Sequence, residues 1–498
     1  MKRIFNYVLK HKVLLIVPSI AMLIGIIADM FNPYFAKVII GDVIQEGKSH
    51  LLLGALIGLL VVTVSRTILG YVKEYLFDIL SAEVNKDIKQ ELFDHIQSLP
   101  FSYFDSMNTG ELMSRINEDV ENIWKTISFG LRLFVENIIY FILATSILFY
   151  LNWKLALACL IIIFPIAYIA IVFEKKVGKT YEKISDQGAE LNTTAQENIA
   201  GVRLVKAFAR EKHEILKFLR MNKENYKLNM EQAGIVAKYL PQTEFLTNLA
   251  QVIMIVLGGI LIIRKDPSGL DIATLVAFQG YMSMLIWPMR HLGWLTNLLA
   301  QNSASAKKIF AILDTKSDIK NIENPVVPSE IKGHIVFDNV TFSYNDQEVL
   351  KDINLDIKAG STVAIMGTTG SGKTSLINLI GRYYDPTKGS VIIDGVNVRE
   401  LDLKTLRKNM SIVPQDTFLF SDTILENIRI GNKDASMEQV KQACQMACAM
   451  EFIDDLEQGF DTIIGERGIG LSGGQKQRLA IARALVRNGS IMILDDAT

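Results

Sequence analysis

The sequence predicts two fold classes in one chain: an α-helical transmembrane bundle of six helices over residues 1–312, and an α/β domain over residues 333–498, joined by a linker at 313–332. Three observations predict this. Half of the 498 residues are hydrophobic and only 21% are charged, with a mean hydropathy of +0.25. That is too apolar for a water-soluble chain of this length. Six apolar runs are long enough to cross a bilayer. Past them, the short apolar run Val363-Ala-Ile-Met366 feeds a glycine-rich loop and then a helix start, the local grammar of an α/β unit.

The spanning runs come first in the chain. Lys2, Arg3, Lys10 and Lys12 precede a long apolar run with no small-residue cleavage pattern after it, which reads as a retained first helix and not a signal peptide. The runs cover 13–33, 51–71, 131–151, 155–173, 245–263 and 272–294. The segments at 41–50, 151–154 and 264–270 are short, whereas 72–130 and 174–244 are long and charged. Thirteen Lys and Arg residues fall within 174–239, which places that side in the cytosol. Both termini and the α/β domain are then cytosolic, and the expected location is the plasma (inner) membrane, with multiple passes.

Ionisable residues inside spans are candidates for function. At about 1.5 Å per residue, Asp29 lies roughly 24 Å past the inner end of the first run, near the outer face. Arg66 lies roughly 22 Å inward from the start of the second run, and Glu136 roughly 21 Å inward from the outer end of the third. Depth therefore predicts an Arg66–Glu136 ion pair in the inner leaflet and a poor match between Asp29 and Arg66. The net charge of −1 gives no reason to expect nucleic acid. Cys159, Cys444 and Cys448 fit a reducing compartment. Cys444 and Cys448 stand four apart on an expected helix, and without a further His or Cys they read as packing residues.

Residues 313–332 are polar, with Pro325 and Pro328 flanking Val326-Val327, the composition of a connector. Ile335-Val-Phe337 then opens the α/β domain as a strand. Val363–Met366 reads as a buried strand, and a helix starts at Thr374. Between them runs Gly367, Thr368, Thr369, Gly370, Ser371, Gly372, Lys373 and Thr374, a full G-x-x-x-x-G-K-[ST] phosphate loop followed by Ser375. Its glycines let backbone N–H groups turn toward phosphates at the positive end of the helix. Lys373 would reach the β- and γ-phosphates, and the Thr374 hydroxyl would ligate Mg²⁺.

Further motifs carry a resemblance. They are Leu471-Ser472-Gly473-Gly474-Gln475, Tyr344 in Phe342-Ser-Tyr344, Gln415 in Val413-Pro-Gln415, Gly465-Glu-Arg-Gly468, and Ile491-Met-Ile-Leu-Asp495. In this order and spacing, residues 330–498 resemble the cassette of ABC transporters, an α/β P-loop NTPase, of the exporter type. The resemblance implies ATP and Mg²⁺ as cofactors. Tyr344 would stack on adenine, and Ser472, Gly473, Gly474 and Gln475 would contact ATP on a second cassette. Gln415 would approach Mg²⁺ and the attacking water, and Asp495 would hold Mg²⁺ beside Thr374. Ser98-Leu-Pro100, Phe104-Asp105 and Thr109–Arg115 resemble the first intracellular loop of such exporters, with 108–115 as its coupling helix. Glu197–Gly201 and Val205–Phe208 resemble the second, which in this family docks on the opposite subunit's cassette. Pro288-Met-Arg290, Ala304-Ser-Ala306 and Ile309-Phe310 resemble the end of helix six.

Two departures shape the functional expectation. The family places Glu after the Walker B Asp as the base that polarises water, whereas this chain has Asp496. An Asp carboxylate sits one methylene shorter and falls short by on the order of 1 Å, an error that general-base geometry tolerates poorly. The sequence also stops at Thr498, straight after Walker B, so it reads as a fragment truncated ahead of the family's remaining dimer-contact loop and switch His. The resulting expectation is ATP-driven export or flipping of a hydrophobic small molecule, lipid or peptide across the membrane. The chain would act as one half of a dimer, with Asp496 an impaired base and a second ABC half as partner. A homodimeric flippase in which Asp496 suffices, and an ATP-binding regulatory subunit that does not pump, stay open as alternatives.

Overall fold

The computed structural model describes residues 2–265, 270–344, 347–465, 468 and 470–496; the side chains of residue 2 and of most residues between 287 and 301 also lie outside that description. The chain forms two compact units. One comprises Met1–Gln97 with Gly110–Asp314, the other Ser98–Thr109 with Thr315–Thr498. The second unit therefore includes a short stretch, 98–109, that sequence order places among the membrane helices.

The first unit is helical. A short amphipathic helix, α1 (Lys2–Lys10), buries Ile4, Tyr7 and Val8. It is followed by α2 (Lys12–Asp29), α3 (His50–Ser98), α4 (Arg132–Leu151), α5 (Trp153–Ala200), α6 (Glu211–Ile263) and α7 (Ile272–Asp314). Five described helical stretches are long and apolar enough to cross a membrane, and Ile272–Ile286 is a shorter apolar helix. Asn152 shows how local chemistry sets a boundary. It takes an extended backbone between α4 and α5, and its side chain accepts the Leu155 N–H at 3.0 Å, capping α5. The core gathers Ile26, Leu148, Ala156, Ile166, Met254, Phe278 and Met282 from α2, α4, α5, α6 and α7. Elsewhere the spans carry apolar side chains outward, including Leu53, Leu60, Ile68, Phe164 and Tyr168, as helices surrounded by hydrocarbon do.

The first span is longer than the sequence suggests, and this overturns the expected ion pair. Helical backbone continues past Asp29 through Phe31–Val38 and a wider-turned stretch at Ile39–Gln45, giving a span of 34 residues, Lys12–Gln45. Asp29 then lies 16 residues before the outer end of its span, and Arg66 lies 16 residues after the start of α3, so both sit at about 24 Å. Arg66 accordingly pairs with Asp29 at 3.0 Å, and Glu136 pairs with Lys73 at 3.0 Å. The Arg66–Glu136 pair does not form. Asp29 is buried and also accepts from Asn32 Nδ2 at 2.8 Å and from the Tyr140 hydroxyl at 3.0 Å.

The second unit holds a four-stranded antiparallel sheet of β1 (Ile335–Tyr344), β2 (Gln347–Ile357), β3 (Lys388–Ile393) and β4 (Val396–Asn397), in the order β2-β1-β3-β4. A separate parallel pair joins β5 (Met410–Val413) to β6 (Ile491–Leu494) in the register Met410↔Ile491 to Val413↔Leu494. Val326 is stitched to this unit by hydrogen bonds to Glu400 and Asp402. The strand expected at Val363–Met366 does not form. No described strand pairs with it, and Val363, Ile365 and Met366 are exposed. An isolated extended segment gains no ladder bonds, so apolar composition alone does not make it a strand. Cys444 is buried as expected, but Cys448 lies past the end of the helix Met437–Met446, at φ 52°, and is exposed. Glu466 and Arg467 of the expected Gly465–Gly468 motif, and the side chains of Met289 and Arg290, lie outside the described residues.

Candidate functional site: the nucleotide-binding cassette

The phosphate loop ends at the N-terminus of α8 (Lys373–Ile380). Gly372 takes a left-handed φ of 91°, and a Cβ there would stand 2.7 Å from Leu350 Cδ2. Only glycine meets both demands. No side chain caps α8. Its first N–H groups, at the positive end of the helix dipole, stay open to an anion. The Lys373 ammonium folds back over the loop and donates to the Gly367 and Thr368 carbonyls at 2.9 and 3.0 Å. Gly370, at φ 83°, completes the turn. Thr369 and Ser371 lie exposed along it, and Ser375 is buried one turn into the helix.

Strand pairing assembles the other side. β5 runs toward Gln415 and β6 toward Asp495 and Asp496, so their parallel register brings these residues together. The Thr374 hydroxyl donates to Asp495 Oδ2 at 2.9 Å. Gln415 Nε2 donates to Asp496 Oδ2 at 3.3 Å. A hydroxyl beside a carboxylate, at the end of the phosphate loop, is a donor set suited to a hard divalent cation. An open helix N-terminus with an adjacent ammonium suits a triphosphate. The residues present therefore fit ATP with Mg²⁺.

The Leu471–Gln475 stretch opens a second helix, α9 (Gly473–Arg487), and here the end is closed. Ser472 and Gln475 form a reciprocal capping box, Gln475 N to Ser472 Oγ at 3.3 Å and Ser472 N to Gln475 Oε1 at 2.8 Å. Gly473 and Gly474 have open space where a Cβ would stand. Among the described residues no hydrogen bond joins 472–475 to the phosphate loop. Tyr344 ends β1 half-buried, edge-on to Phe342 at 4.6 Å and to Tyr384 at 5.2 Å.

Comparison with known proteins gives the same reading. The family model for the ABC transporter transmembrane region matches residues 15–289, and that for the ABC transporter matches residues 350–498. The chain belongs to the ABC transporter family. It is similar over its whole length to an ATP-dependent lipid A-core flippase of Syntrophus aciditrophicus, 33% identical and covering 82% of that protein. It is likewise similar to a putative multidrug export ATP-binding/permease protein of Staphylococcus aureus, 37% identical and covering 87%. A solved structure of a bacterial Atm1-family ABC exporter with ATP bound superposes with a TM-score of 0.82, at 26% identity, over 98% of this chain and 86% of that one. The protein is thus an exporter-type, ATPase-coupled, multi-pass membrane transporter, and ABC exporters work as dimers.

Two features of this ABC cassette escape a motif reading. Arg483 on α9 donates to the Phe418 carbonyl at 2.9 Å and to Asn427 O at 2.9 Å, tying the signature helix to the segment just after Gln415. Desolvation lowers its pKa, though a guanidinium stays charged throughout. The second is the stretch 98–109. Phe101 and Asp105, in a short helix Phe101–Ser106, are among its residues that touch the cassette. Met107 turns extended and ends that helix, and a separate short helix, Thr109–Ser114, follows within the expected 108–115. Neither feature has a local signature, since an Arg in a helix and a Phe before a turn are ordinary residues.

Proposed function

We propose that this chain is one half of a dimeric ABC exporter that uses ATP to move a hydrophobic or amphipathic molecule across the plasma (inner) membrane, and that its own catalytic site is the weaker of two. The flippase and multidrug-export relatives support the substrate class. In this reading Gly367–Thr374 and Ser375 wrap the triphosphate, Thr374 and Asp495 hold Mg²⁺ with Gln415 nearby, and Tyr344 stacks the base. Ser472, Gly473, Gly474 and Gln475 serve ATP on the partner's phosphate loop. Both termini and the cassette face the cytosol.

The observation that carries the weak-site reading is Asp496. Its carboxylate is turned to Gln415 at 3.3 Å on a backbone at φ 50°, while the signature cap is intact. A base one methylene short loses much of a contribution of typically ~10²–10⁴-fold. The test is the ATPase rate of the full-length protein, purified with whatever associates one-to-one, as the native chain and as Asp496→Glu. A rise of at least about tenfold, with a distinct ABC half carrying Glu at the matching position as partner, supports the reading. An unchanged rate in a complex containing only this chain would move it to a homodimeric pump in which Asp496 suffices.

A further inference from the structure

Tyr384 stands at the centre of an aromatic cluster that no motif of the cassette explains. It follows α8 in the sequence Gly381-Arg-Tyr-Tyr384 and is 9% exposed. Its ring meets Tyr344 edge-on at 5.2 Å and Phe342 at 5.5 Å. On another side, its ring stands 6.4 Å from Phe101. Its hydroxyl donates to Asp105 Oδ2 at 2.5 Å. Phe101 in turn stacks flat on Tyr383, with centroids 4.5 Å apart and planes 7° apart, and the Arg407 guanidinium lies 5.0 Å from the Tyr383 ring. One buried side chain therefore touches both the tyrosine at the end of β1 and the stretch 98–109. Burial and the Asp105 carboxylate push the Tyr384 phenol far above its ordinary value, so it stays protonated and remains a donor. A protonated phenol facing a carboxylate makes a charge-assisted hydrogen bond, among the stronger kinds.

We infer that Tyr384 is a positioning residue that couples occupancy of the base platform at Tyr344 to the seating of residues 98–109 on the cassette. This rests on the reading of Tyr344 as the adenine-stacking residue. The physical argument is close packing. Interlocked rings do not shift singly. A base laid on Tyr344 fixes that ring, which fixes the Tyr384 ring and with it the direction of the hydroxyl toward Asp105. By reciprocity, a seated 98–109 segment strengthens base binding by the same factor.

The experiment uses the full-length protein with its co-purified partner in lipid nanodiscs. Two probes separate base from phosphate: MgATP and magnesium tripolyphosphate, which lacks the base. Tyr384→Phe and Asp105→Asn are each expected to weaken MgATP binding by about fivefold or more and to leave tripolyphosphate binding unchanged. The double variant should lose no more than the worse single one. Hydrogen exchange of the 98–109 peptide should slow on MgATP binding in the native protein and not in either variant. The proposal is overturned if Tyr384→Phe keeps native MgATP affinity and ATP-dependent slowing, if both probes weaken equally, or if the single losses multiply in the double variant. Tyr344→Ala distinguishes the underlying reading. If it leaves MgATP affinity intact, Tyr344 is no base platform and the coupling falls with it. If it weakens MgATP alone while Tyr384→Phe does nothing, only the coupling falls.

Discussion

The N-terminus of α8 and the Asp29 cluster are both concentrations of polar groups, yet they are finished in opposite ways. At α8 the helix has no side-chain cap, and the Lys373 ammonium rests on loop carbonyls. In the membrane unit Asp29 is buried and fully answered by Arg66, Asn32 and Tyr140. Open donors at α8 stand beside an ammonium and the Thr374–Asp495 pair, a combination that suits an anionic ligand with its cation. Closed charges inside an apolar bundle hold the bundle's own register, because an unanswered charge there is expensive. The signature helix α9 falls between the two: it is capped by Ser472 and Gln475 but carries bare glycines in its first turn.

The largest effect should come from the open end. Lys373→Ala removes the one cation at the loop, and ATPase activity should fall by at least about 100-fold, the scale seen when a preorganised donor to developing charge is lost. Melting temperature without nucleotide should hardly change, since among the described residues the Lys373 ammonium donates to two exposed loop carbonyls. A large drop in melting temperature would break the contrast. The closed cluster predicts the reverse. Arg66→Ala leaves Asp29 without its cation and should destabilise the membrane unit by about 3 kcal/mol, while Asp29→Asn added to it should recover most of that. Size-exclusion profiles after graded heating would read both, and a double variant no better than Arg66→Ala would refute the pairing.

How much was legible follows the same division. The phosphate loop, the signature and the stretch Ile491–Asp495 are legible as motifs because each is a run of neighbours whose pattern depends on spacing alone. The Gln415–Asp496 contact follows from the parallel β5–β6 pairing, and the Thr374–Asp495 contact adds the start of α8 to it. The spans are legible as apolar runs, but the first run ends at Pro33 while the helical backbone continues to Gln45. Proline reads as a stop, yet here it stands in the first turn of Phe31–Val38, where its missing N–H costs little. The outer end of the span therefore lies twelve residues beyond Pro33, which sets Asp29 and not Glu136 level with Arg66. Val363–Met366 failed differently, since a strand is defined by its neighbours and composition does not supply them. Tyr384 and Arg483 gave no signal because their roles depend on residues far away in sequence.

At the signature helix the effect on folding should be small and the effect on the dimer distinct. Ser472→Ala removes the cap and should cost about 1 kcal/mol of local stability, seen as faster hydrogen exchange at 473–477. If Ser472 also serves ATP on a partner cassette, ATPase of the assembled dimer should fall by much more than that loss explains. Equal modest changes in exchange and activity would reduce Ser472 to a cap alone.

The smallest effect tests a donor set that the chain closes with its own anion. Asp394 accepts the backbone N–H groups of Lys332 at 2.7 Å, Gly333 at 3.2 Å and His334 at 2.9 Å. Burial works against its charge, but the donors His334, Gly333 and Lys332 outweigh burial and hold the carboxyl below its ordinary range. The unfolded chain therefore takes up this proton more readily than the folded one. The stability Asp394 contributes is fully present above about pH 4, the unfolded carboxyl value, and is lost as pH falls through the lower folded value. Solvent screening at this partly exposed site keeps it to about 1 kcal/mol or less. Asp394→Asn should lower the melting temperature of the cassette transition by an amount that is constant from about pH 8 to 5 and narrows only below about pH 4. A gap that varied between about pH 8 and 5 would refute Asp394 as the group responsible.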